Sequence, residues 1–320
     1  MTLDLFPLWF LRTFAALFGL LWGSFLNVVI YRVPRGMSVV SPPSHCPHCK
    51  KPIRGYQNIP VLTWVVLRGR SACCKQPISP RYPMVELIGG VLSAAILELG
   101  VLTLPLHQTT LAKGVAIWLA GLALALGLVA TAFVDMEHLT ILPDKVNIAA
   151  AILGIATTSF RGLVWYDGLV GGFVGLGIGW GINSVYKMLR GRTGFASGDT
   201  VLLGVLGAWF GWRGALFGLL AGSIQGSVVL ILVRIFGAKV EEPEEVRKER
   251  EEILAEIEKL PESQREAALE EWRKEDELAD GGGEGMQAPV PFGPFIALAG
   301  IELLLFSGPL GDLYYLWAAP

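Results

Sequence analysis

Two aspartates and four cysteines are the residues of this chain whose types and spacing could do chemistry. Asp199 stands in the run FASGDTVLLGVLGAWFGW (Phe195–Trp212), just after the small-residue turn Ala196-Ser197-Gly198 and at the mouth of an apolar stretch. Asp135 ends a second apolar run, 114–134, and is followed by MEHLTILPD up to Asp144. A carboxylate at the edge of lipid is costly, so acids in such places are functional suspects. Two carboxylates brought close cannot both ionise cheaply; one keeps its proton and the other acts as a base. Such a pair can activate water against a peptide carbonyl and protonate the leaving amine. Plainer roles stand beside this one. Asp199 could be a helix N-cap, as could Asp144 after Pro143, and Asp135 could mark a span end at the aqueous surface. Glu86 and Glu98, inside another apolar run, read as buried acids that pair or cap. No Ser-His-Asp or Cys-His arrangement competes; His107 falls on the opposite side, and His138 lies beside Asp135.

All four cysteines fall in one loop, as HCPHC (His45–Cys49) and SACCKQPI (Ser71–Ile78). The charge pattern below puts this loop in the reducing cytoplasm, where disulfides do not persist. Cys46 and Cys49 have the spacing of a zinc knuckle, and Cys73 and Cys74 follow about two dozen residues later. The expected site is one zinc on Cys46, Cys49, Cys73 and Cys74, with His45 or His48 available in place of one thiolate. A metal-free loop of reduced thiols is the alternative.

Positioning these residues falls to apolar runs. Of the 320 residues 52% are hydrophobic and 17% charged, where a soluble domain carries about a quarter charged residues. Runs suited to crossing a bilayer, about 20 residues each, lie at 8–30, 83–104, 111–134, 144–160, 163–188, 200–211, 215–236 and 291–316. The fourth is short, and the sixth is too short alone; its Gly204, Gly207 and Gly211 suit close helix packing. The first run follows Asp4 rather than a basic segment and shows no convincing cleavage site, so it reads as a retained span and not a signal peptide. Lys and Arg gather in the loop 31–82, after run 5 at Lys187, Arg190 and Arg192, and after run 7 at Arg234 and Lys239. These loops are therefore expected in the cytoplasm, with both termini outside. Asp135 then closes span 3 and Asp199 opens span 6 at one membrane face.

Eighteen of the 28 acids fall between Glu241 and Glu284. This stretch places Ile253, Leu254, Ile257 and Leu260 at helical spacing, breaks at Pro261 and resumes as a second helical stretch over 262–278. Asp280 to Met286 reads as a flexible linker. A solvated helical hairpin is the simple interpretation and a partner-docking arm the other. The net charge of −2 averages unlike regions. No basic patch with interleaved aromatics points to nucleic acid, and no internal repeat is strong enough to use.

Several strings resemble one family. GSFLNVVIYRVPRG (Gly23–Gly36), the CPHC loop, NIPVLTWVVLRGR (Asn58–Arg70), ISPRYPMVE (Ile78–Glu86), Asp135 with its downstream LPD, GDTVLLGVLGAWFGW and PFGPFIALA (Pro291–Ala299) are similar, in order, to type IV prepilin peptidases. The resemblance covers most of the chain apart from the acidic stretch. It implies a membrane aspartyl peptidase of the GxGD type with Asp135 and Asp199 as catalytic acids. Its substrates would be prepilins or pseudopilins, cut at the cytoplasmic face of the bacterial inner membrane. It also implies methylation of the new N-terminus with S-adenosylmethionine, although no glycine-rich cofactor fingerprint is visible. The sequence departs from the pattern. Ala196 replaces the first glycine of GxGD, Val201 the usual lysine, and Ser71 the third cysteine. The stretch from Asp135 to Pro143 is one residue longer, which keeps Glu137 in play as the acid.

The expected architecture is an all-α polytopic membrane protein with about eight transmembrane helices. It comprises a first span (1–30), a cytoplasmic cysteine domain (31–82), a membrane peptidase core (83–238), a charged helical insert (239–289) and a last span (290–320). The alternatives are a peptidase without methyl transfer, a transporter or proton relay, and a non-catalytic assembly factor. Acids gathered at one face and unmatched halves argue against transport.

Overall fold

A computed structural model describes residues 1–191, 195–236, 243–279 and 291–318. The expected linker from Asp280 to Met286 and the loop residue Arg192 lie outside them. The described residues form helices, with three isolated bridges and no strand. Five helices are long and apolar enough to cross a membrane: Leu8–Arg32, Arg81–Val101, Leu111–His138, Tyr166–Arg190 and Ser197–Ile235.

The chain divides into two compact units, Met1–Ala130 with Ile301–Pro320, and Thr131–Gly300. In the first, α1 (Leu8–Arg32) lies against α3 (Arg81–Ile96). The contact is backbone on backbone: a Cβ at Gly89 would stand 2.6 Å from the Gly19 carbonyl oxygen, and one at Gly23 would stand 2.8 Å from Glu86 Cα. Small residues four apart permit this approach, which larger side chains would prevent. The helix α3 continues through a π-helical turn, Leu97–Val101. Glu98 in that turn is exposed, not buried as expected from its place in an apolar run. It takes a two-pronged ion pair from Arg12, at 2.9 and 2.7 Å. Between α1 and α3 the cysteine loop carries one short helix, α2 (Leu62–Val66).

The second unit begins in the last turns of α4 (Leu111–His138). It continues through α5 (Asp144–Ala156), α6 (Trp165–Arg190) and α7 (Ser197–Ile235). The fourth apolar run was expected to reach residue 160, but its helix ends at Ala156. The Thr157 hydroxyl turns back onto the Leu153 and Gly154 carbonyls, and Gly162 closes the following 3₁₀ turn with φ 74°.

The 39 residues of α7 are two helices in sequence. Gly211 has φ 72° and ψ −177°, a combination essentially confined to glycine. Beyond it the chain folds back: a Cβ at Gly218 would meet Leu206 Cδ1 at 2.6 Å and Leu203 Cδ2 at 3.5 Å. In a straight helix residues 206 and 218 would stand about 18 Å apart. The segments 197–210 and 212–235 are therefore antiparallel. The first of them also runs antiparallel to α6, with Gly171 and Gly207 in mutual backbone contact and Gly179 against Thr200. Trp209, fully buried, locks α5 in place by donating to the Ala150 carbonyl at 2.8 Å.

The acidic stretch forms α8 (Glu244–Glu258) and α9 (Glu262–Ala279), separated at Pro261 as its sequence predicts. Arg250 lies 6.0 Å over the Trp272 ring. The last helix, α10 (Gly293–Ala318), starts in the second unit, where Phe295 and Ile296 pack on Gly226 and Gly222.

Candidate active site

Asp135 and Asp199 lie near the ends of two helices of the second unit. Asp135 is one turn short of the C-terminus of α4 and is 8% exposed; Asp199 is the third residue of α7 and is 7% exposed. The charge of Asp135 is felt at the Asp199 carboxyl, so the two side chains lie within electrostatic reach. Two plainer readings are thereby corrected. The N-cap position of α7 is Ala196, not Asp199. Asp135 does not mark a span end in water, because its helix continues to His138 and its side chain is buried. Asp144 likewise is the first residue of α5, with Pro143 at the cap. Glu137, two positions on and so turned away along the helix, is half-buried.

The support around the pair is local. Gly198 fits under the loop after α4, where a Cβ would stand 2.7 Å from Ile141 Cγ2. That loop is held by the Asn147 amide, which donates to the Leu142 carbonyl at 2.6 Å. On the other side the Gly293 backbone N–H donates to Asp135 Oδ2 at 3.0 Å, and a Cβ at Gly293 would sit 2.6 Å from the same oxygen. Phe292 meets Phe195 edge to face at 5.9 Å and fixes the approach of this amide. Gly293 was missed at the level of sequence. It lay within PFGPFIALA, one of the family-like strings, but with no charge or ligand group to give it a role.

The four thiols of the first unit converge. Their sulfurs all lie within 4.8 Å of one another, with Cys46 and Cys74 at 3.7 Å and Cys49 and Cys73 at 3.1 Å. Four sulfurs at about 2.3 Å from a zinc ion stand about 3.8 Å apart in a tetrahedron, so the donor set fits that metal. The histidines are engaged elsewhere: His45 Nδ1 with the Pro43 carbonyl and His48 Nε2 with that of Pro77.

The two halves of this site repeat one pattern. Cys46 N–H donates to the Lys51 carbonyl and Lys50 N–H to that of Cys46; Ser71 N–H donates to the Gln76 carbonyl and Lys75 N–H to that of Ser71. Lys50 and Lys75 both turn with positive φ. Ser71 thus occupies the place equivalent to Cys46, and Cys73, next to Cys74, supplies the fourth sulfur. The repeat, HCPHCKKPI against RSACCKQPI, is legible once the two turns are aligned. Burial would raise the Cys46 thiol, but the Cys49 and His48 backbone N–H groups and neighbouring thiols bring it down to about 6. Cys73, bonded first to Cys49, is pushed up to about 11. The Ser71 hydroxyl lowers Cys74.

Comparison with known proteins places this arrangement. Residues 17–98 match the bacterial peptidase A24 N-terminal domain, and residues 122–231 the type IV leader peptidase family. The prepilin leader peptidase/N-methyltransferase of Aeromonas hydrophila is 36% identical over 256 residues, covering 71% of this chain and 83% of that protein. The protein of the same description from Myxococcus xanthus (strain DK1622) is 34% identical over 325 residues, covering 92% and 90%. That from Stutzerimonas stutzeri is 31% identical over 332 residues, covering 95% and 93%. The chain belongs to the type IV leader peptidase family. The two family matches divide the chemistry as the fold does. The A24 N-terminal match contains the four cysteines, and the leader peptidase match contains Asp135 and Asp199. No solved structure matches the chain.

Proposed function

We infer that this protein is a membrane aspartyl peptidase that removes the leader of type IV prepilins and related pseudopilins and methylates the N-terminus it creates. The observation that carries the peptidase half is the burial of Asp135 and Asp199 together, on helix ends 64 residues apart in sequence. Burying two carboxylates with no cation beside them among the described residues costs stability, and catalysis accounts for that cost. In the proposed reaction one carboxylate takes a proton from water as its oxygen attacks the scissile carbonyl. The other, carrying a proton, gives it to the departing amine. The Gly293 amide holds Asp135 in one orientation throughout.

The eight expected spans are supported by the five long apolar helices, the division of α7 at Gly211, the short α5 and the apolar helix that begins at Gly293. With the basic loops inside, Asp135 and Asp199 meet at the cytoplasmic face of the inner membrane and both termini face out. The five segments set out above follow from this topology. Zinc on Cys46, Cys49, Cys73 and Cys74 would be structural, a closed four-sulfur site with no position left for substrate. S-adenosylmethionine supplies the methyl group.

The test is to incubate the detergent-purified protein with a prepilin and S-adenosylmethionine, then follow the mass of the pilin. A shortened product 14 Da heavier than simple cleavage would give supports both activities (one methyl group replacing hydrogen, about 14 Da). An unshortened pilin contradicts the peptidase reading.

A further inference from the structure

The loop between α1 and α3 carries an apolar face that the fold leaves exposed. Within it, α2 turns Trp64 inward, where the indole N–H donates to the Ile78 carbonyl at 3.1 Å. Leu62, Val65 and Val66 stand three and four apart, on one side of that helix, and are 56%, 58% and 69% exposed. Tyr56 and Ile59, just ahead of them in the chain, are exposed as well. Apolar side chains that meet lipid are ordinary on a span, but α2 has five residues, far too few to cross a bilayer. An exposed apolar patch outside the spans marks an interaction surface.

The anchoring of α2 sets its depth. Val61, which leads into the helix, has φ 59° and ψ −49°, the backbone of a rare and strained γ-turn, closed by the Leu62 N–H on the Pro60 carbonyl. Such strain persists only where the surroundings impose it. Glu86 imposes it: its Oε2 accepts the Val61 N–H at 2.6 Å. Glu86 belongs to the apolar helix Arg81–Val101, whose 21 residues extend about 31 Å, close to the hydrocarbon thickness of a bilayer. Arg81 therefore starts near the bilayer surface, and Glu86 lies about 7.5 Å further in along the helix axis. An interfacial helix buries its apolar face about 5–10 Å into the boundary between headgroups and acyl chains. The bond to Glu86 holds α2 in that zone.

Charge agrees with depth. Residues 33–80 hold seven Lys and Arg and no Asp or Glu. Arg54 lies ahead of α2, and Arg68 and Arg70 follow it; all three are exposed. A basic segment beside an apolar face is matched by an anionic leaflet. A soluble acidic protein would match the charge but not the apolar face, and it could not reach a helix held at this depth. We propose that α2 and its flanks form a lipid-binding surface lying in the cytoplasmic leaflet, with Leu62, Val65 and Val66 among the acyl chains and Arg54, Arg68 and Arg70 on anionic headgroups. The choice of leaflet rests on the topology proposed above; the lipid contact rests on α2 and its anchor. The surface fixes the cysteine loop to the membrane at α2 as well as at its two ends.

The experiment uses the full chain in nanodiscs of phosphatidylethanolamine and phosphatidylglycerol and has two arms. In the first, the photoreactive residue p-benzoylphenylalanine replaces Val65 or Val66, one at a time, and the adducts formed on irradiation are identified by mass spectrometry. Both positions are exposed, so the probe leaves the packing intact. Lipid adducts are expected at both, with phosphatidylglycerol over-represented relative to its share of the bilayer. In the second arm, Arg68→Gln with Arg70→Gln is added to each probe variant. The preference for phosphatidylglycerol should weaken about fivefold for each cation in contact with headgroups, with the melting temperature unchanged. Adducts to residues 131–300, to a second copy of the chain or to no lipid at all would overturn the proposal. Lipid adducts with no preference for phosphatidylglycerol would overturn the headgroup contacts. A reporter fused after Gly36 that reads periplasm, with lipid adducts still formed, would overturn the leaflet and the topology while the lipid contact stands.

Discussion

The backbone amide of Gly293 donates to Oδ2 of Asp135 at 3.0 Å, away from solvent and across 158 residues of sequence. One oxygen of the proposed catalytic pair is therefore oriented by the first residue of the last helix. Gly293→Ala adds a Cβ at 2.6 Å from that oxygen, so the carboxylate or the helix start must move. Leader cleavage should fall on the order of 10²-fold, as expected for a displacement of about 1 Å at a reacting group. Methyl transfer to a pre-cleaved pilin should be unchanged. Steady-state assays of the two reactions side by side check this.

The metal site yields a prediction from its repeat. Ser71 stands where a cysteine would complete the second turn, and Cys73 supplies the sulfur instead. Cys73→Ala should lose zinc. The double variant Ser71→Cys with Cys73→Ala, which restores regular spacing, should recover about one zinc per chain by elemental analysis. Zinc retained in Cys73→Ala alone would remove Cys73 from the ligand set.

Metal uptake should also release protons. Cys46, lowered to about 6, is already a thiolate near pH 7.5, whereas Cys73, raised to about 11, still holds its proton. A thiolate is what binds the ion. Calorimetry of zinc binding in buffers of different ionisation enthalpy should show net proton release at pH 7.5. Affinity should weaken further as pH falls through about 6 and Cys46 is protonated. Uptake with no proton exchanged would contradict this account.

Arg161 offers a test of packing. Its guanidinium lies 4.6 Å over the Trp209 ring and donates to the Gly154 and Thr157 carbonyls. Arg161→Ala should cost about 2–3 kcal/mol through the lost cation–π contact and charged hydrogen bonds, read as a lower melting temperature in detergent. Arg161→Lys should not restore it, because an ammonium cannot stack and fork in this way.

Much of this was legible in the sequence, for reasons that differ by element. Apolar runs and their basic borders mark helices because lipid permits few alternatives, and Pro261 divided α8 from α9 as its chemistry requires. Asp135 and Asp199 stood out because acids beside apolar runs are conspicuous. Their closeness could not be read, since nothing local specifies which helix ends meet. Asp199 also mimicked an N-cap, and only the fold shows that the cap falls three residues earlier, at Ala196. The role of Gly293 was unreadable for a related reason: it acts through a bare backbone amide, which leaves no pattern in residue type. The length of α5 was overestimated because hydropathy runs on past Ala156 while the Thr157 hydroxyl ends the helix.

Topology can be checked independently of catalysis. Reporter fusions at Gly282 and Arg192 should both report cytoplasm, and one after Pro320 the outside. A periplasmic signal at Gly282 would contradict the orientation drawn from the basic loops.

The central claim is that Asp135 and Asp199 work as one acid–base pair, and the most direct measurement is leader cleavage by Asp135→Asn and Asp199→Asn, each made singly. Asparagine keeps the shape and still accepts the Gly293 N–H, but it cannot take a proton from water or share one with its neighbour. Both variants should insert in the membrane normally and lose cleavage by about 10⁴-fold or more, as loss of an essential catalytic group does. Glu137→Gln should cleave normally. Full activity in either Asp→Asn variant, or loss in Glu137→Gln with activity kept in Asp135→Asn, would contradict the account.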